Sequence, residues 1–227
     1  MMESSYCSQL ESVFNDSVCE DWCLGVVGAI DDAYKETNKI CRYPRFSEQA
    51  AHDTRSHILR GLIETRLEEI SSDLGMISES RPNRRRSYSH TWVKAGNLYL
   101  TASSVHTPQS KPRRADFRDI YQGNRQLEIF EAEKNLQSDD LVYAVLLYGS
   151  PQLSSPSFVR IAFPSRHWTK YVESIDLMAR YPDAISKVAQ TEEMQEPSIE
   201  KLPEEMIPQP QKPVIRRLPK KVGERQE

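Results

Sequence analysis

Leu141-Val142-Tyr143-Ala144-Val145-Leu146-Leu147-Tyr148 is an unbroken apolar run of strand-forming residues. It is too short for an ordinary helix, and its valines and tyrosines favour extended backbone. Residues 158–163 follow, alternating across Arg160, and the linker 149–156 is rich in Ser and Pro, the chemistry of a turn. These two runs predict a β-hairpin. An earlier pair predicts another: Tyr88, His90 and Trp92 alternate with polar neighbours, Ala95-Gly96-Asn97 supplies the turn, and Leu98, Leu100 and Ala102 alternate after it.

The helical signals lie mostly before the strands. Over 47–73, Ala51, Ile58, Leu59, Leu62, Ile63, Leu67 and Ile70 form one stripe, with Arg60, Glu64 and Glu68 opposite at i, i+4 steps, the pattern of a solvated face. Ser47 is its expected N-cap and Gly75 its stop. A first helix is expected over 17–39, where Val18, Trp22, Val26, Ala29, Ile30 and Ala33 recur at helical spacing. Pro44 separates the two, because it removes a donor and pushes Tyr43 out of helical backbone. A short helix is expected over 113–121, with Phe117, Ile120 and Tyr121 inward. Residues 78–87, which contain Pro82, Asn83 and three consecutive arginines, read as an exposed loop. The segment from His167 to Leu177 is expected to pack on the sheet.

These elements predict an α+β fold: an antiparallel sheet of two hairpins packed against two or three helices, with a disordered C-terminal tail. The expected division is a flexible N-terminus over 1–16, the α+β domain over 17–185 and a Pro-rich charged tail over 186–227. From Thr191 onward the chain holds six of its fourteen prolines and no aromatic residue, too little apolar area to offset the entropy of ordering. Its charge is blocked, with Glu192, Glu193, Glu196, Glu200, Glu204 and Glu205 ahead of Lys212, Arg216, Arg217, Lys220, Lys221 and Arg225.

Composition narrows the function classes. Over 227 residues the formal net charge is -3 and hydrophobic residues make up 38%, which does not favour a protein that coats nucleic acid along its whole surface. The opening residues have no basic segment followed by an apolar one, so no secretory signal is expected. The early apolar run from Cys23 to Ile30 is bracketed by Asp21 and Asp31, far short of the roughly 20 residues that span a bilayer. Cys7, Cys19, Cys23 and Cys41 all lie near the start, whereas disulfide-stapled folds spread their cysteines through loops. Reduced thiols and a cytoplasmic location are expected, with no membrane and no cofactor.

Catalytic patterns are sparse. Cys19, Cys23, Cys41, His52 and His57 lack zinc-site spacing, since the two histidines lie five residues apart in the sequence and a helix turns such a pair about 140° from each other. The chain has no G-x-S-x-G elbow, and its eight glycines match no phosphate-cradling loop. For metal-dependent nuclease chemistry the nearest approximation is Glu131-Ala132-Glu133-Lys134 ahead of Asp139 and Asp140. In extended backbone Lys134 would face away from both glutamates. The spacing of Arg84 and His90 resembles the R-x4-6-H signature of HEPN-type ribonucleases. That family places the two residues at a helix start in a helical bundle, whereas these lie on a loop leading into a predicted strand, so the activity is not carried over.

The remaining signal is electrostatic. Between Arg81 and Arg125 lie ten basic residues against two acids, Asp116 and Asp119. Arg84, Arg85, Arg86, Lys94, Lys111, Arg113, Arg114 and Arg118 are therefore the candidate contacts for a protein partner or a nucleic acid, with Tyr88, Trp92 and Tyr99 as candidate stacking groups. In the tail, Val214, Ile215, Arg216, Arg217 and Leu218 form a small apolar and basic peptide suited to docking on a partner. The expected function is a non-enzymatic interaction or regulatory protein, with a nucleic-acid hydrolase or a subunit of a larger assembly as alternatives.

Overall fold

The computed structural model describes residues 2–44, 46–82, 88–118, 141–150, 154–165 and 168–185, with side chains from residue 9. The expected tail, Val214 to Leu218 included, lies outside the described residues. Three helices come first, α1 (Met2–Ser17), α2 (Glu20–Cys41) and α3 (Glu48–Asp73). Residues 1–16 read as a flexible polar segment, but α1 buries Leu10 and Phe14 in the main core. At α3 the Ser47 side chain accepts from the Ala50 amide at 3.2 Å, satisfying one of the donors that a helix start leaves unpaired. The Trp22 indole of α2 donates to Ser71 Oγ of α3 at 3.0 Å within the core, so the two long helices are held by a directional bond as well as by packing.

Six strands follow in spatial order β1-β2-β3-β4-β5-β6. They are β1 (Ile77–Pro82), β2 (Ser89–Ala95), β3 (Leu98–Ser104), β4 (Val142–Gly149), β5 (Phe158–Pro164) and β6 (Tyr171–Asp176). Helical turns occur at residues 116–118 (α4), at Leu177–Arg180 (α5) and at residues 183–185 (α6). Gly96 makes the β2–β3 turn at φ 53°, backbone that L side chains rarely adopt.

The expected antiparallel sheet of two hairpins is corrected by this topology. The pairs β2–β3 and β4–β5 are antiparallel, but β3 and β4 run parallel, from Leu98 opposite Val142 to Ser104 opposite Tyr148. Residues 105–141 connect them, which is ample length for the crossover that parallel neighbours require. Two further strands enlarge the sheet. β1, in the expected loop, pairs with β2, and β6 pairs with β5, where Arg160 meets Asp176 at 2.8 Å. The result is a six-stranded mixed sheet.

The sheet's two faces differ. Val93, Ala95, Leu98, Leu100, Val142, Ala144, Leu146, Val159, Ile161 and Phe163 share one buried cluster with the helices, including Trp22, Ile30, Ile63 and Leu67. Tyr143, Val145, Leu147, Phe158 and Ala162 form a second cluster on the other face with Val105. β4 is therefore buried along its whole length. No helix among the described residues is long and apolar enough to cross a membrane.

Candidate interface for an acidic partner

Side chains alternate along a strand, so His90, Trp92 and Lys94 of β2 point to the face away from the long helices. Their register partners point the same way: Arg81, Glu79 and Ile77 on β1, and Thr101 and Tyr99 on β3. On this face Trp92 stacks against Tyr99, with ring centroids 5.2 Å apart. Arg81 lies over the Trp92 ring at 4.2 Å and Lys94 over the Tyr99 ring at 6.0 Å. Each ring of the pair thus carries a cation, Arg81 from β1 on Trp92 and Lys94 from β2 on Tyr99, with Arg81 also paired to Glu79 at 2.9 Å.

The chain after β3 crosses the same face. Val105 packs in the second cluster, the Tyr171 hydroxyl donates to the Ser110 carbonyl at 2.8 Å, and Phe117 stacks on His90 with centroids 3.7 Å apart. Within this crossing Pro112 is buried, while Lys111, Arg113 and Arg114 are exposed. Four of the eight cations singled out from sequence, Lys94, Lys111, Arg113 and Arg114, thus come to the helix-free side. Arg84, Arg85 and Arg86 lie outside the described residues, as do Glu131 to Asp140.

Arg118 is placed differently. It is 9% exposed, and its guanidinium turns inward, donating to the carbonyls of Arg113 and Ala102 while lying over the Phe117 ring at 4.9 Å. Around it gathers a group that sequence reasoning assigned to a solvated helix face. Arg60 lies over the Tyr88 ring at 5.0 Å, and its Nε is 3.8 Å from Glu64 Oε1. The Glu64 side chain is only 14% exposed. Burial pushes its carboxyl up to about 7 against the pull of Arg60 and Arg118. Burial also brings His90 down to about 4, helped by Arg118, Arg81 and Arg60. Below them Tyr148 is fully covered and its hydroxyl is raised by burial. An i, i+4 Arg-Glu pair looks the same in sequence whether water or protein lies above it, so nothing local marks this group.

Among the described residues no group of three or more His, Cys, Asp or Glu side chains is arranged to hold a metal ion. Comparison with known protein families, with curated proteins and with solved structures finds no match.

Proposed function

We propose that this chain is a non-enzymatic cytoplasmic interaction protein that captures an acidic protein partner on the helix-free side of its sheet. The observation carrying this reading is the crossing of residues 105–118 over that face, which sets exposed Lys111, Arg113 and Arg114 on the same side as Lys94. Cations gathered on one side steer an anionic partner and are screened by salt when exposed. Arg84, Arg85 and Arg86 are further candidate contacts by their charge, and Arg118 holds the crossing chain through the Arg113 carbonyl. The tail residues Val214, Ile215, Arg216, Arg217 and Leu218 add a second, tethered contact, which raises the effective concentration of the first.

An acidic protein is favoured over single-stranded nucleic acid by the state of the aromatic rings. Base stacking needs an open ring face, and Trp92 is 5% exposed with Arg81 over it. Low-salt affinity purification tests the reading, with mass spectrometry for proteins and an absorbance ratio for nucleic acid. An acidic protein is expected to co-purify, to leave as salt rises, and to be lost from the variant carrying Lys94→Glu, Lys111→Glu, Arg113→Glu and Arg114→Glu. Equal capture by that variant defeats the proposal, and an eluate dominated by nucleic acid replaces it with the other partner class.

A further inference from the structure

We propose that Arg60, His90 and Arg118 form a binding site for a small oxyanion, such as a phosphate group, beside the ends of β3 and β4. The site is separate from the exposed cations of the proposed partner surface and stands without them. Its starting observation is a buried charge with no hydrogen-bonded counter-ion among the described residues. Arg118 is 9% exposed, its guanidinium donates to two neutral carbonyls, and its Nε has no partner among the described residues. A guanidinium withdrawn from water is costly unless it is both paired and hydrogen-bonded.

The charges of Arg118 and Arg60 both act on His90, and His90 and Arg60 carry unfilled groups of their own. His90 is 6% exposed and neither ring nitrogen is hydrogen-bonded among the described residues, and Arg60 Nε is likewise covered and unbonded there. These groups come from three elements: α3 supplies Arg60, β2 supplies His90 and α4 supplies Arg118. Phe117 ties the last two, stacked on the imidazole and lying under the guanidinium. Neutral His90 can donate from one nitrogen, and the two guanidiniums supply charge-assisted donors.

Glu64 is the internal competitor for this position and fills it poorly. Its nearest oxygen stands 3.8 Å from Arg60 Nε, beyond hydrogen-bond length. The charged and titratable groups around it are Arg60 on its own helix, Arg118 from α4 and Tyr148 from β4, while Arg81 of β1 and Arg60 and Arg118 act on His90. An arriving anion repels the Glu64 carboxylate and favours its neutral form, so binding takes up a fraction of a proton that rises toward one as pH climbs above 7.

Sulfate is a suitable probe because it does not titrate near neutrality. Calorimetric titration of the full chain with sulfate, at constant ionic strength, is expected to show one saturable site. With Glu64 titrating at about 7, binding only to its protonated form makes affinity about tenfold tighter at pH 6 than at pH 8. Arg60→Gln, at a side chain 37% exposed, should weaken sulfate about tenfold or more. Glu64→Gln should bind equally at both pH values and as tightly as the wild type does at pH 6. Inorganic phosphate should compete for the same site. Absence of saturable binding, equal affinity in wild type and Arg60→Gln, or pH-independent wild-type affinity would each overturn the proposal.

Discussion

Gly149→Ala is expected to destabilise the protein by about 3 kcal/mol, at the upper end of what overpacking costs. A Cβ at this position would run into the Val105 carbonyl oxygen and come within 2.8 Å of the Phe158 ring. The first obstacle is backbone and cannot rotate aside. It stands there because β3 and β4 run parallel: Val105, just past β3, donates its amide to the Tyr148 carbonyl at 3.0 Å, next to Gly149. On the other side Ser157 holds the Gly149 carbonyl through both its amide and its hydroxyl, at 2.8 and 2.9 Å. Gly61→Ala serves as the contrast. Gly61 is exposed within α3 with nothing within 4 Å of a Cβ, so alanine should add about 0.5–1 kcal/mol. Urea denaturation of the two variants checks both signs. A Gly149→Ala protein as stable as wild type would mean that the chain after β3 does not pass this point.

Two buried groups should contribute to the pH dependence of stability with opposite signs. Glu64 is raised from 4.5 to about 7, so its contribution is present below pH 4.5 and is lost as pH rises through 7. His90 is lowered from 6.5 to about 4, so its contribution is present above pH 6.5 and is lost as pH falls through 4. Between pH 4.5 and 6.5 acidification therefore gains through one what it loses through the other. At about 1.4 kcal/mol per pKa unit, each contribution is on the order of 3 kcal/mol. Removing either group should unmask its opponent. Relative to wild type, Glu64→Gln should gain stability as pH rises from 4.5 to 7, and His90→Gln should gain it as pH falls from 6.5 to 4. Denaturant curves across this range measure both differences, in which the other carboxylates cancel. Curves for Glu64→Gln that stay parallel to wild type would show that Glu64 is solvated.

Local chemistry carried most of the helical reading. The stripe from Ala51 to Ile70 with Ser47 before it gives α3, and the turn around Gly96 gives β2 and β3. The edge strands were illegible for a physical reason. β1 reads Ile-Ser-Glu-Ser-Arg-Pro, with no position fully buried, so it lacks the alternation that marks a half-buried strand. The parallel joint arises from pairing across the long connection 105–141, and neither end of it carries a turn signal that would name its partner. One trace of it was present. An apolar run without alternation, such as 141–148, is what a strand covered on both faces looks like, and β4 is such a strand. The basic residues were visible as a list, but their distribution depended on where the crossover ran. That route separates exposed Lys111, Arg113 and Arg114 from inward-turned Arg118, a distinction that charge alone cannot make.

The proposed capture surface depends on where its charges sit, which a comparison at fixed net charge isolates. Binding of a polyglutamate peptide would be measured against salt for two quadruple variants. One reverses Lys94, Lys111, Arg113 and Arg114 to Glu on the helix-free side, and the other reverses Lys39, Arg42, Arg55 and Arg66 to Glu on the helical side. The first should weaken binding by about tenfold or more at low salt and flatten its salt dependence, while the second should shift it much less. Equal losses in the two would mean that the protein responds only to its total charge, and the assignment of a docking face would be wrong.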